Sequence, residues 1–328
     1  MPNRNLQSAD AIRIRGELGD LYPFTSHWQE TPQGRLHYLD EGPGSGETSD
    51  APPTLLFVHG NPTWSFHWRE LIGKFSDRYR CVAVDHLGCG LSDLQPEPQS
   101  LADHIENLSG LIESLDLQNV TLIAQDWGGA IGLGAVLKLK ERFERLVLLN
   151  TGAFPPWYIP WRIRVCRWPV VGKLMLQGFN AFSRAALTMT VNRGPLTEQV
   201  KTGYLAPYHN WERRAAVYQF VKDIPLSASH PTWQTLADIE AGLPSLGELP
   251  KLLVWGEQDW CFTTECLDKF VEIWPDSTVL RISDAGHWVV EDATEQVIAR
   301  MERFLTAEPK EPAVHFDHRE DTKGTRIV

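Results

Sequence analysis

Residues 124–129 read AQDWGG, and this short stretch is the strongest indication of the fold. It follows the apolar run VTLIA at 120–124, which predicts a buried β-strand. Small residues stand two positions before and two positions after Asp126. Only small side chains fit beside the tip of a tight strand–turn–helix connection. We therefore predict that Asp126 projects from a sharp turn at the carboxyl end of a strand.

The chain on both sides of this turn alternates between strand and helix patterns. Apolar runs of strand length recur at 54–58, 80–84, 146–149, 252–255 and 278–282. Helical patterns lie around 100–115, 129–138 and 293–305, and a hairpin is predicted at 26–29 and 36–39. Continuous apolar runs separated by helices indicate a parallel sheet that is buried on both faces. The predicted fold class is α/β, with a mostly parallel central sheet and helices on both faces.

Composition divides the chain into a core, an insertion and two polar ends. Residues 1–20 are polar, and we expect an irregular N-terminal segment. The core is predicted to comprise 21–151 and 245–306. The stretch 152–244 carries no clear strand and is predicted to be an inserted helical cap. Residues 307–328 are charged and are expected to form a mobile tail.

Charge and cysteine content exclude several classes of protein. The net charge of −11 argues against nucleic acid as a partner, because phosphate binding requires clustered positive charge. The five cysteines form no CxxC pair, so no disulfide framework is predicted and a reducing cytoplasm fits best. No apolar stretch of about 18 residues predicts a membrane span, and the N-terminus lacks the pattern of a signal peptide.

Three residues in chain order predict the chemistry. Asp126 occupies the nucleophile position of the elbow, where serine is usual. Asp259 follows the strand at 252–255, and His287 follows the last predicted strand. The order nucleophile, acid, histidine matches the α/β-hydrolase fold, in which the acid fixes the tautomer of the histidine. Glu257 and Asp292 are the nearby competitors for the role of the acid.

A carboxylate at the elbow performs different chemistry from a serine. It is a poor acyl nucleophile in water, but it can displace a leaving group from an alkyl carbon and form an alkyl ester. His287 would then activate a water molecule that hydrolyses this ester. His59, His86 and His104 are predicted to be structural, since their spacing suits no metal site. No metal and no organic cofactor is expected, because no phosphate-binding glycine loop follows a strand.

Two neutral donors are predicted to stabilise the developing charge. The loop HGNPTW at 59–64 follows the strand at 54–58, and in this fold that loop supplies one oxyanion N–H. The residue after the nucleophile supplies the other. These residues are Asn61 and Trp127, and both also carry an uncharged side-chain N–H donor. The pair suits a departing halide or another weakly basic anion.

Five segments together resemble the haloalkane dehalogenases. They are HGNPTWSFHWR, DHLGCGLSD, QDWGG, WGEQD and DAGHW, and the resemblance covers roughly residues 22–305. It implies Asp126 as nucleophile, His287 as base, Asp259 as acid, and Asn61 with Trp127 as the halide-binding pair. Asn61 combined with the late acid is typical of the third subfamily, as are YPFTSH at 22–27 and LAPY at 205–208.

The same motifs also resemble the β-lactone decarboxylases of olefin biosynthesis, which share the Asp, His and Asn–Trp set. Hydrolysis of a haloalkane to alcohol and halide is the first hypothesis, and decarboxylation of a β-lactone to an alkene and CO2 is the alternative. Epoxide hydrolysis ranks lower, because Asn61 counts against it. It also requires tyrosines in the lid. The candidates for them are Tyr158, Tyr204, Tyr208 and Tyr218. A binding protein without activity ranks last.

The segment 155–168, PPWYIPWRIRVCRW, is basic and aromatic within an acidic protein. One interpretation is a lid whose Trp and Ile side chains line the substrate tunnel while the arginines face solvent. The other is a surface for a second subunit or for anionic lipid. The resemblance favours a homo-oligomer that uses this segment or the charged tail, and membrane contact is not favoured.

Overall fold

The computed structural model describes residues 4–43, 52–95 and 97–307, with side chains from residue 10 onward. Eight strands lie within these ranges: β1 (Ser26–Thr31), β2 (Gly34–Glu41), β3 (Thr54–Val58), β4 (Arg80–Val84), β5 (Val120–Asp126), β6 (Phe143–Thr151), β7 (Lys251–Gly256) and β8 (Thr278–Ile282). The α-helices are α1 (Arg4–Leu18), α2 (Arg69–Phe75), α3 (Leu101–Ser114), α4 (Trp127–Lys138), α5 (Trp161–Cys166), α6 (Val171–Lys173), α7 (Ala181–Met189), α8 (Glu198–Leu205), α9 (Ala215–Asp223), α10 (Pro231–Gly242), α11 (Thr264–Ile273), α12 (Val289–Asp292) and α13 (Thr294–Thr306).

The eight strands form one sheet in the order β1-β2-β4-β3-β5-β6-β7-β8. β2 pairs antiparallel with β1 and β4, and every later pair is parallel. The chain places β4 on one side of β3 and then β5 on the other, so the winding reverses there. The crevice at the carboxyl ends of strands beside such a reversal is where open α/β sheets bind ligands. Residues that directly follow β3 and β5 therefore lie where this kind of sheet usually binds a ligand.

Burial on both faces explains the apolar runs of the strands. All side chains of β3 and β7 are buried, as expected for parallel strands that helices cover on both faces. One face packs on α3, α4, α10 and α11, and the other on α1, α2 and α13. The predicted fold class is confirmed, and every run predicted as a strand is a strand.

The N-terminal segment corrects the sequence prediction. Residues 1–20 were expected to be irregular, but the chain is helical from Arg4 to Leu18. Ala11, Ile14 and Leu18 lie on one face of α1 and are buried in the core. Arg13 also donates a hydrogen bond of 3.1 Å to the backbone oxygen of Ala206. The prediction relied on the polar composition of this segment and overlooked these three apolar residues, whose spacing is that of one helix face.

The predicted insertion between β6 and β7 is helical, but its last helix belongs with the core. α10 packs against α3 and α4, and its Leu236 and Ile239 join the hydrophobic core below the sheet. The bounds 152–244 for a cap are therefore too wide at their C-terminal side. α5, α6 and α7 lie over the carboxyl edge of the sheet, as the cavity there shows. The predicted tail begins at Ala307, and its remaining residues lie outside the described ranges.

Candidate active site

Asp126 occupies a strained turn between β5 and α4. Its backbone φ of 55° and ψ of −130° lie in a region that side chains other than glycine rarely adopt. A Cβ at Gly60 would stand 2.1 Å from Asp126 Oδ1, and a Cβ at Gly128 would stand 2.1 Å from the backbone oxygen of Val58. Glycine is therefore required at both positions. Asp126 precedes α4 without capping it, so its carboxylate is free for other contacts.

The structure brings Asp126, His287 and Asp259 together at the carboxyl edge of the sheet. His287 Nε2 lies 3.5 Å from Asp126 Oδ2, and His287 Nδ1 lies 2.7 Å from Asp259 Oδ2. Asp259 and His287 are buried. Since a carboxylate accepts hydrogen bonds, His287 Nδ1 carries the proton toward Asp259, and Nε2 faces Asp126.

Asp259 is held by two groups that the sequence did not reveal. Asn150 Nδ2 donates to Asp259 Oδ2 at 3.0 Å, and the backbone N–H of Cys261 donates to Oδ1 at 2.7 Å. The ring of Phe262 stacks on His287, with centroids 5.7 Å apart. These contacts fix the orientation of the acid and the imidazole. Asn150 directly follows the predicted strand at 146–149, but its position in the sequence does not show that its side chain bonds to Asp259.

The charges around His287 control its protonation. Burial lowers the pKa of His287, but the Asp259 charge and hydrogen bonds to both carboxylates raise it to about 10. The resting site therefore favours an imidazolium between two carboxylates. An ester on Asp126 removes one of these charges and one of these hydrogen bonds. We expect the pKa of His287 to fall at that point, so the imidazole can accept a proton from water when a base is needed.

Asn61 and Trp127 line the same cavity as Asp126. The backbone N–H of Asn61 donates to Asp126 Oδ1 at 2.7 Å, and this hydrogen bond leaves Oδ2 without that donor. The Asn61 amide donates to the backbone oxygen of Val217 at 3.2 Å, and its second N–H remains for another acceptor. Trp127 lines the same cavity, and its Nε1 bonds to no group in the described part of the chain.

A cavity of about 440 Å³ lies between the insertion and the sheet edge. Asp126 and His287 reach its floor, and apolar side chains of α5 and α7 form its roof. Representative lining residues are Phe154, Ile163, Leu176, Phe182, Met189 and Phe262. A mostly apolar cavity with a few polar groups at one end suits an apolar molecule that presents one reactive carbon.

The competing residues are engaged elsewhere. Glu257 pairs with Arg281 at 3.3 Å, and Asp292 accepts the backbone N–H of Gly286 at 2.6 Å. His59 Nδ1 contacts the backbone oxygen of Gly60 at 2.7 Å, and burial lowers its pKa. Across the described ranges, no group of three metal-ligating side chains could hold an ion.

The lid segment differs in part from its predicted arrangement. Ile163 lines the cavity as expected, and Trp157 also reaches it. Trp161 and Trp168 do not line the cavity and are mostly exposed. The prediction that the tryptophans of this segment form the tunnel is therefore wrong for two of the three.

Comparisons with known proteins agree with this architecture. The family described as alpha/beta hydrolase fold matches residues 53–294. A cis-3-alkyl-4-alkyloxetan-2-one decarboxylase of Shewanella oneidensis is 38% identical over 297 residues, which cover 88% of this chain and 91% of that protein. Haloalkane dehalogenase 2 of Mycobacterium bovis is 33% identical over 291 residues, with coverage of 87% and 96%. The tetrameric structure of a haloalkane dehalogenase from Paraglaciecola agarilytica is similar at a TM-score of 0.73 and 23% identity, covering 89% and 98%.

Proposed function

We propose that this chain, which belongs to the α/β-hydrolase fold family, uses Asp126 to displace a leaving group from a saturated carbon. One observation carries the proposal. Asp126 lines the apolar cavity, its Oδ1 accepts the backbone N–H of Asn61, and its Oδ2 lies 3.5 Å from His287 Nε2. The product of the first step is an alkyl ester of Asp126.

The substrate that we propose is a β-lactone with alkyl substituents. An oxetan-2-one is a β-lactone, and the decarboxylase of that name is more similar to this chain than the dehalogenase, at 38% against 33% identity. Haloalkanes are the first hypothesis from the motifs alone, and this difference in identity favours the opposite order. The apolar cavity supports alkyl substituents of either substrate.

The proposed reaction of a β-lactone consumes no water. Asp126 Oδ2 attacks the saturated ring carbon that bears the ring oxygen, not the carbonyl carbon. The bond between this saturated carbon and the ring oxygen breaks, and a free carboxylate remains on the neighbouring carbon. The bond to this carboxylate then breaks, and its electron pair forms the alkene as CO2 leaves. The alkyl–oxygen bond to Asp126 breaks in the same step and restores its carboxylate.

Hydrolytic dehalogenation is the second candidate, supported by the likeness to the dehalogenase. The same attack on a haloalkane releases halide, for which Asn61 and Trp127 provide neutral donors. Water must then attack the ester carbonyl with His287 as base. The two reactions share the first step and differ in whether water is consumed.

Epoxide hydrolysis is disfavoured by the positions of the candidate tyrosines. Tyr204 hydroxyl donates to Glu291 at 2.6 Å, and Tyr208 hydroxyl donates to the backbone oxygen of Thr63 at 2.9 Å. Tyr218 packs in a cluster below α5. Of these four tyrosines, Tyr158 lines the cavity within the described structure. These four tyrosines therefore do not place two hydroxyls in the cavity, where they could protonate the oxygen of an opening epoxide.

Partners and location stay predictions. All five cysteines are free, which is compatible with a reducing compartment. The tetrameric dehalogenase supports the proposal of a homo-oligomer, and light scattering coupled to size exclusion measures it. A monomer near 37.1 kDa at micromolar concentration would remove that proposal.

A substrate comparison tests the function. The purified enzyme is incubated with a cis-3,4-dialkyl β-lactone and, separately, with a bromoalkane of similar length. We expect alkene and CO2 from the lactone, and release of bromide at a lower rate. The Asp126→Asn variant is the matched control and should give neither product. Hydroxy acid in place of alkene would contradict decarboxylation, and bromide release alone would restore the first hypothesis of the sequence analysis.

A further inference from the structure

The insertion exposes a group of large apolar side chains that do not line the cavity. Their exposed fractions range from 49% to 78%. They are Trp161, Trp168, Val170, Leu174 and Phe179. Hydrogen bonds from Gly172 N to Trp168 O (2.9 Å) and from Leu174 N to Val170 O (2.8 Å) fold this stretch into one compact unit. We call these five side chains, together with the cations of residues 152–197 named in the next paragraph, the apolar–basic surface.

The same stretch carries cations and no carboxylate. Between Glu144 and Glu198 the sequence has no Asp or Glu, although the whole protein has a net charge of −11. The cations of residues 152–197 are Arg162, Arg164, Arg167, Lys173, Arg184 and Arg193. Of these, Arg193 pairs with Asp284, and Arg167 donates to the backbone oxygen of Val221. The other four form no ion pair with any described residue.

The mouth of the cavity lies in this part of the insertion. Five further large apolar side chains both line the cavity and are at least 37% exposed. They are Trp157, Tyr158, Val165, Val171 and Met175. They alternate along the chain with members of the apolar–basic surface. A molecule that leaves an apolar phase at this surface would therefore enter the cavity directly.

We propose that the apolar–basic surface docks on an anionic lipid bilayer, with the cavity mouth facing the membrane. Exposed Trp and Phe side chains partition into the headgroup region, and Arg and Lys attract anionic lipids. Docking is peripheral, since no described helix is long and apolar enough to cross a bilayer. This proposal does not depend on which substrate the enzyme uses.

A bilayer fits the surface better than a second copy of the chain does. A second copy packed on these side chains would cover the mouth, because mouth residues alternate with surface residues. A fluid lipid phase leaves the mouth open to solutes dissolved in it. The remainder of this acidic protein would be repelled by an anionic membrane, so the patch of cations also fixes the orientation.

Flotation with vesicles tests the proposal on the full chain. The wild-type protein is mixed with phosphatidylcholine vesicles, with and without phosphatidylglycerol, and separated on a density gradient. We expect it to float with the anionic vesicles and much less with the neutral ones. Arg164→Glu combined with Lys173→Glu should weaken binding by at least about 25-fold, since each cation contributes about fivefold. Arg303→Glu, on α13, is the matched control and should float like the wild type.

A second pair of variants separates apolar contact from charge. Trp168→Ser combined with Phe179→Ser should reduce flotation, whereas Ile12→Ser, exposed on α1, should not. Thermal melting verifies that each variant is folded. The proposal is overturned if the wild type does not float with anionic vesicles, or if both double variants float as it does. It is also overturned if the Trp168 and Phe179 changes dissociate an oligomer that shows no vesicle binding, because a second copy then occupies the surface.

Discussion

Asn150 and Asp259 are joined by a hydrogen bond of 3.0 Å, from the amide of Asn150 in β6 to Oδ2 of the carboxylate after β7. The same oxygen contacts His287 Nδ1 at 2.7 Å. The amide oxygen of Asn150 accepts the backbone N–H of Gly256 at 2.8 Å, so the amide has a fixed orientation. Asn150 is therefore a positioning residue that acts through the acid on the imidazole.

We predict that Asn150→Ala lowers kcat about tenfold and leaves KM nearly unchanged. The lost hydrogen bond to a charged group contributes about 1.5–3 kcal/mol, part of which holds the acid in place. Steady-state kinetics and a pH profile of kcat measure the effect, because a misplaced acid also shifts the titration of His287. Asn107→Ala, on α3, is the matched control. An unchanged pH profile and kcat in the Asn150 variant would remove the positioning role.

Removal of either neutral donor should slow the cleavage step. Asn61→Ala removes the amide whose second N–H remains for the leaving group, and Trp127→Phe removes the indole N–H. The loss of either donor from this poorly hydrated site should cost roughly 1–3 kcal/mol. Rapid-quench measurement of ester formation from a bromoalkane reports this step separately from hydrolysis. Binding of bromide, followed by tryptophan fluorescence, should weaken in both variants. Unchanged bromide affinity in both would contradict the assignment of the pair to the leaving group.

The raised pKa of His287 predicts how stability depends on pH. The ordinary value is about 6.5, and the folded value is about 10. The folded state therefore binds the proton more tightly, so this stabilisation is fully present below about pH 6.5 and is lost as pH rises through about 10. As pH rises from 7 to 10, the free energy of unfolding, measured with urea, should fall less for Asp126→Asn than for the wild type. Equal losses would show that Asp126 does not hold the proton on His287.

Helix α1 should contribute to global stability. Ile14 is fully buried against the core, and Ile14→Ala should lower the free energy of unfolding by about 2–4 kcal/mol. Ile12 on the same helix is 73% exposed, and Ile12→Ala should change it by less than about 0.5 kcal/mol. Urea unfolding compares the two. Equal effects of the two changes would mean that α1 is not packed as described.

The sequence predicted the sheet because its strands are continuous apolar runs that only a doubly covered sheet can bury. It also predicted that Asp126, Asp259 and His287 lie together, since elbow, acid and histidine each follow a strand in a set order. It did not predict α1, whose three buried positions are separated by charged residues. It did not predict Asn150 or Cys261 as supports of Asp259, because contacts between neighbouring strand ends depend on tertiary geometry.

The outward tryptophans of the insertion show another limit of sequence patterns. Trp161 and Ile163 stand two positions apart in α5, which places them on different faces of a helix. Ile163 faces the cavity and Trp161 faces outward, although both are apolar. Hydrophobicity alone cannot assign the two faces when both are apolar. The exposed face became evident only with the fold.

The proposed reaction requires a covalent ester on Asp126, and that ester can be trapped. His287→Phe removes the base that water attack requires, so the ester from a bromoalkane should accumulate. Mass spectrometry of the digested protein should find one alkyl group on the peptide that contains Asp126, and none in the Asp126→Asn variant. An alkyl group on another residue, or no adduct in a His287→Phe protein that still releases bromide, would show that Asp126 does not form the ester.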